Sequence, residues 1–154
     1  MGTQQLLMIV LSIVIVGIAI SVGIFLFNHF SYRSNIQAIL AELQHFATLS
    51  KAYWGAPESR GGASRKTDNC DIGVMASYLG FKEDYGSKTI QITYKYISPN
   101  GEFHLDSTWD GVIEISVLGS ASLRGKHPYI SYKYDMITDS PTIEIEAKKG
   151  WEDL

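Results

Sequence analysis

Cysteine, proline and clustered charge are all scarce in this chain, and each scarcity removes a class of explanation. Among its 154 residues there is one cysteine, Cys70. An intrachain disulfide is therefore impossible, and a structural zinc site, which normally draws on several Cys and His, has no ligand set. Cys70 can be a buried free thiol, an exposed one, or a partner for another chain; burial is the commonest fate of free cysteine. The net charge is -3, and neither sign gathers into a patch, so nucleic acid and anionic lipid are not implied as partners.

Catalytic signatures are missing as well. His29, His45, His104 and His127 are dispersed, with no His-Glu-x-x-His and no nucleophile elbow. Cys70 is not followed by the Cys and His of a haem attachment site, and no glycine-rich loop stands between a strand and a helix to cradle a nucleotide. Asp106-Ser107-Thr108-Trp109-Asp110-Gly111 offers oxygen ligands before a glycine, but it lacks the spacing and distal Glu of an EF-hand. An ordinary Asp-Gly turn accounts for it, and His104 with Asp106 reads as a surface pair. The sequence thus implies no enzyme, no cofactor and no metal.

What is present is concentrated at the N-terminus. Arg33 and Glu42 are the only Asp, Glu, Lys or Arg between Thr3 and Ser50, and no Pro or Gly interrupts Asn28 to Trp54. Leu6 to Phe27 is an apolar run of about 22 residues, enough to cross a hydrocarbon core of roughly 30 Å. A cleaved secretory signal would have a positive n-region, a shorter apolar core and a small-residue cleavage site, so the run is expected to stay with the mature protein. If one helix continues from Leu6 to Trp54 it is roughly 70 Å long, more than twice the bilayer core.

The second half of that helix is amphipathic. Phe30, Ile36, Ile39, Leu40, Leu43, Phe46, Ala47 and Leu49 recur at three- and four-residue spacing, with polar residues between them. After Trp54 the chain changes character. Gly55-Ala56-Pro57 ends the helix, and Pro57 to Asn69 reads as an exposed loop. Asp71 is placed to cap a short helix carrying Ile72, Met75, Ala76 and Leu79, with Gly80 at its end. From Thr89 the period becomes two, and five strands are expected: around Ile90 to Tyr96, Phe103 and Leu105, Ile113 to Val117, Ile130 to Tyr134, and Ile143 to Ala147. Alternation buries one sheet face, and the helix stripe is the only large apolar surface to cover it. Ile92, Ile115, Ile130 and Ile145 are expected to face Leu40, Leu43 and Ala47.

The predicted fold class is α+β: a long N-terminal helix, its apolar first half protruding and its second half packed on a C-terminal antiparallel β-meander. The divisions are a possible short leader at 1–2, an apolar helix at 3–30, its amphipathic continuation at 31–54, a loop with a short helix at 55–88, and the sheet at 89–154. The protruding half must sit in lipid or against copies of itself. Gly17-x-x-x-Ser21 and Ala19-x-x-x-Gly23 are small-x-x-x-small patterns that allow close helix approach, although glycine is also simply common in membrane helices. The aromatics from Phe25 to Trp54 fill core space or mark a lipid interface more simply than they form a conducting stack.

In Gly2-Thr3-Gln4-Gln5-Leu6-Leu7-Met8-Ile9-Val10-Leu11, in Ile15 to Ile20 and in overall plan, the chain resembles the type IV pilin-like proteins, which include pilins and secretion-system pseudopilins. That resemblance implies cleavage by a prepilin peptidase after Gly2, Thr3 as the mature N-terminus, and assembly of helices into a filament core. The implied partners are copies of the chain, the membrane before assembly and pilus-type assembly machinery; the implied location is a cell-surface filament. Three departures stand out. Leu7 occupies the fifth mature position, where the family usually has Glu; no Lys or Arg precedes Gly2; and one cysteine cannot close a C-terminal loop. The alternatives are a minor pseudopilin and, from another class, a non-polymerising extracytoplasmic binding module anchored by a single helix. Arg60, Arg65 and Lys66 are further expected to meet Glu144, Glu146, Glu152 and Asp153 of a neighbouring copy.

Overall fold

A computed structural model describes residues 2–85, 92–107 and 111–151. One uninterrupted helix, α1 (Thr3–Gly55), takes up the N-terminal third. Nothing between Asn28 and Trp54 can break it, and it stops where Ala56 turns extended ahead of Pro57, whose ring restricts the residue before it. The next helix, α2 (Ile72–Leu79), is bounded by the two predicted signals. Asp71 accepts hydrogen bonds from the Gly73 and Val74 amides at 2.8 and 3.0 Å, and Gly80 closes the helix at a φ of 84°.

Six strands follow in one antiparallel meander: β1 (Lys82–Tyr85), β2 (Ile92–Ser98), β3 (Gly101–Ser107), β4 (Val112–Gly119), β5 (His127–Asp135) and β6 (Ser140–Lys148), hydrogen-bonded in sequence order. The long helix and antiparallel sheet match the predicted α+β layout. The extra strand is β1, in the stretch read as loop and short helix. Its Lys-Glu-Asp-Tyr sequence carries no apolar alternation, and what makes it a strand is pairing with β2, Tyr85 opposite Ile92. Thr89 to Gln91 and Thr108 to Asp110, where the notional first strand begins and the Asp-Gly turn sits, lie outside the described residues.

α1 lies across β4 and β5, and α2 packs beside it. Ile39, Leu43, Phe46 and Tyr53 of the helix meet Phe103, Leu105, Ile113, Ile115, Val117 and Ile130 of the sheet, all buried. The Phe46 ring is the hub, with Phe81, Tyr96 and Phe103 centroids at 5.2, 5.4 and 5.6 Å, favourable aromatic separations. Polar residues fix the helix along its length. Asn35 donates to the Asn100 carbonyl at 2.7 Å and accepts from the Ala121 amide at 3.3 Å, while Asn100 in turn donates to Glu42 at 2.6 Å. This approach requires Gly119, because a Cβ there would fall 2.4 Å from both Asn35 Oδ1 and Pro128 Cγ.

Two parts of the expected interface are corrected. Phe30 is 67% exposed: it stands at the open rim of the head beside Asn100, Ser120 and Ala121, and is not covered by the sheet. Ile145 pairs in register with fully buried Ile130 and so shares its sheet face, yet it is 49% exposed. A helix set over β4 and β5 leaves the far edge strand uncovered. Ile115 and Ile130 are buried as expected, and Ile92's side chain lies outside the described part of the molecule.

Truncating a fully buried Ile or Leu costs about 2–5 kcal/mol, and less where solvent already reaches the side chain. In urea melts of the detergent-solubilised chain, Leu43→Ala and Ile130→Ala are expected to lower the midpoint far more than Gln44→Ala and Ile145→Ala. Equal shifts at Ile130 and Ile145 would overturn the position of the helix over the sheet.

Candidate assembly surface

Among the described residues nothing covers the N-terminal half of α1. From Leu6 to Phe27 every large apolar side chain is between 46% and 71% exposed, around the whole circumference. The segment is long and apolar enough to cross a membrane, with a mean hydropathy of 3.0 over an 18-residue window of which none is buried. Its few polar groups are satisfied within the helix. Ser12 donates to the Met8 carbonyl at 2.8 Å and Ser21 to the Gly17 carbonyl at 2.9 Å, so neither hydroxyl needs water.

The small residues predicted for helix packing sit in this segment. A Cβ added at Gly17 or Gly23 would meet nothing within 4 Å, so no contact among the described residues accounts for either glycine. Each lowers helix propensity by about 1 kcal/mol relative to Ala. At about 100° per residue, Gly17 and Ser21 lie on one side of the helix, while Ala19 and Gly23, with Ser12, lie on nearly the opposite side. The helix therefore carries two shallow notches facing away from each other. At its tip, Gly2 is extended (φ -73°, ψ 148°) and the helix starts at Thr3, the two residues of the expected processing point.

Below the notches the helix enters the head. Phe25, His29 and Tyr32 face Leu123, Arg124, Lys126 and Ala147 across an open notch. The opposite end of the helix is tied to the β5–β6 turn by an ion pair between Lys51 and Asp139, and Asp139 also accepts from the Tyr134 hydroxyl.

The sheet face turned away from the helix is polar and self-paired. Glu102 is bonded by Lys95 at 2.6 Å and His104 at 2.8 Å, Trp151 stacks on the His104 ring with centroids 4.0 Å apart, and Lys133 meets Glu114 at 3.0 Å. Against the opposing effect of desolvation, the bonds from Lys95 and His104 hold the Glu102 carboxyl below its usual range. Asp106 accepts from the Ser116 hydroxyl. Desolvation, reinforced by the Glu114 carboxylate and opposed by His104, pushes the Asp106 carboxyl up to about 6. Among the described residues no group of three His, Cys, Asp or Glu is placed to hold a metal ion.

Cys70 and the charged residues of the loop and sheet have the following surroundings. Cys70 is half-buried and burial pushes its thiol up, so it is less nucleophilic than a free cysteine. Lys66 pairs with Glu58 of its own loop at 3.3 Å and Glu146 with Lys148 at 3.4 Å, so these charges have partners within the chain; Glu152 and Asp153 lie outside the described residues. The edge position of β6 was the feature the sequence concealed. Strand alternation marks an inward face but not whether anything covers it.

Asp106 gives a pH signature. Its folded value lies above the unfolded one, so the folded state holds more protons between about pH 4 and 6, and its contribution to stability falls as pH rises through that window. Asp106→Asn is expected to raise the melting temperature modestly at pH 7 and to give no gain near pH 3.5, since the residue remains solvent-accessible. A variant curve parallel to wild type across a pH series of thermal melts would overturn this assignment.

Comparison with protein-family profiles, with curated proteins and with solved structures finds no match to this chain, so its functional reading rests on its own surfaces.

Proposed function

We propose that this chain is a structural subunit of a type IV pilus-like helical filament, inserted in a membrane by the N-terminal half of α1 before assembly. One observation carries the reading: an apolar half-helix, exposed on every side and notched on two opposite sides, joined rigidly to a head that has no use for it. A single notch serves a pair of helices. Two facing opposite ways serve an array, in which each copy has a neighbour on either side.

Leaving lipid for such an array exchanges one set of apolar contacts for another, so assembly carries little hydrophobic penalty. In this reading Gly2 closes a short leader, Thr3 becomes the first mature residue, and the polar sheet face and the Pro57 to Asn69 loop lie on the outside. The partners are further copies of the chain and a pilus-type assembly machine. Leu7, in place of the Glu usual among pilin-like proteins, means that subunit register comes from packing rather than from a charge pair at the N-terminus.

The test is negative-stain microscopy of cell-surface shear fractions, with intact-mass analysis of the chain recovered from them. Filaments containing the chain, shortened by the mass of Met1 and Gly2, are expected. Gly17→Leu and Gly23→Leu keep the segment apolar but fill one notch each. Each is expected to leave the precursor in the membrane while reducing filament yield roughly tenfold or more, equivalent to about 1.4 kcal/mol per contact. Normal filaments from both variants would overturn the packing role. Absence of filaments, with wild-type chain found only as membrane-bound monomer, would favour an anchored binding module instead.

A further inference from the structure

The fold gathers at one level of the molecule cations that stand far apart in the sequence. Between β4 and β5 lies a tight turn, Leu123-Arg124-Gly125-Lys126, closed by backbone hydrogen bonds between Leu123 and Lys126 at 2.9 and 3.1 Å. Both central residues have positive φ, 56° at Arg124 and 75° at Gly125, the pattern of a type I′ turn, in which Asn, Asp and Gly are favoured. Turn chemistry alone does not call for an arginine there. The turn sets Arg124 and Lys126 opposite Phe25, His29 and Tyr32 of α1 across an open cavity of about 530 Å³. Arg33 is exposed one turn beyond His29 and within about 40° of it around the helix.

No carboxylate balances this group. Among the described residues Arg33, Arg124 and Lys126 form no ion pair, and no Asp or Glu lines the cavity. Glu146 precedes Ala147 at the cavity wall, but strand alternation turns it to the other face of β6, where it meets Lys148. The height of the group along α1 is as telling as its charge. With the apolar run from Leu6 to Phe27 in the hydrocarbon core, the headgroup layer begins at Asn28 and is roughly 5–7 Å thick. Asn28 to Tyr32 rise about 6 Å through it, which puts the cavity at the depth of the lipid phosphates.

We propose that this cavity seats the phosphate of an anionic phospholipid in the leaflet on the head's side of the membrane. The proposal rests on the membrane insertion of the precursor read above and adds which headgroup the head holds. Arg124 and Lys126 supply charge-assisted donors to the phosphate oxygens, and Arg33 adds to the field. Tyr32 is of the residue type enriched at this depth, and Phe25 lines the hydrocarbon end of the cavity, where the acyl chains begin. A zwitterionic headgroup fits worse, because its ammonium meets only cations. A free anion has nothing to hold it at this level, whereas a lipid phosphate is kept there by its acyl chains. The apolar helix of a second copy carries no carboxylate to place here, since no Asp or Glu precedes Glu42 in the chain.

The test uses the full chain in two settings. Reconstituted into phosphatidylcholine vesicles and washed at alkaline pH, it is expected to stay with the vesicles. In dodecylmaltoside micelles it is titrated with short-chain phosphatidylglycerol, short-chain phosphatidylcholine or inorganic phosphate, and bound molecules are counted by native mass spectrometry. Phosphatidylglycerol is expected to be held roughly tenfold or more above phosphatidylcholine, a contribution of about fivefold from each juxtamembrane cation, with inorganic phosphate not retained. Arg124→Asn with Lys126→Gln removes both turn cations and gives the positive-φ position a residue that tolerates it. Its melting temperature is expected to match or exceed wild type while the preference for phosphatidylglycerol is lost. Arg60→Gln with Arg65→Asn removes the same charge from the loop after α1, Arg65 also standing at positive φ (59°), and is expected to leave the preference intact. If wild type leaves the vesicles on washing, membrane insertion fails and the lipid seat with it. If it stays but binds the two lipids alike, or if both double variants lose the preference equally, the seat is overturned and insertion stands. Inorganic phosphate bound as tightly as phosphatidylglycerol would make this a free-anion site and also overturn the proposal.

Discussion

Everything in this molecule depends on the continuity of α1. No Gly or Pro interrupts Asn28 to Trp54, and α1 runs unbroken from Thr3 to Gly55, so its apolar first half and its amphipathic second half are parts of one helix. The second half is held by burial of Ile39, Leu43 and Phe46 and by hydrogen bonds at Asn35 and Glu42. Position and direction of the first half follow from that grip.

The grip is asymmetric. On the β3 side the helix is bonded through Asn100, and the approach is so close that Gly119 leaves no space for a side chain. On the β6 side Lys51 pairs with Asp139, and Ile143 and Ile145 of the edge strand are left exposed. An exposed ion pair contributes little to stability, about 0–1 kcal/mol, so it marks the turn's position more than it secures it. A six-stranded meander is wider than one helix, and the second helix that lies beside α1 is on the other flank. Uncovered apolar surface in the head is thus a consequence of strand count and helix placement together.

The outward sheet face contrasts with this. Lys95 pairs with Glu102, which also bonds His104, Lys133 pairs with Glu114, and Trp151 stacks on the His104 ring. Cross-strand pairing of opposite charges stabilises a wet sheet face.

The sequence alone determined the elements whose cause is local. Helical periodicity and the lack of breakers specified α1, Asp71 and Gly80 bounded α2, and strict alternation marked the strands from β2 onward. The exposed half-helix was also legible, since no apolar surface elsewhere in the chain was large enough to cover it. Only the tertiary structure decided the rest. β1 has no strand pattern of its own and exists because β2 offers an edge. Asn35 can be buried because it donates to the distant Asn100 carbonyl, whereas Ser50 bonds Phe46 within its own helix, as the exposed Ser12 and Ser21 bond theirs, and is buried only by where the helix lies. Ile145 and Ile130 look alike in sequence and face the same way, but one is buried and the other bare. Alternation fixes which side of a sheet a residue faces; what lies above it depends on where a distant helix comes to rest, and that is set by packing summed over the whole head.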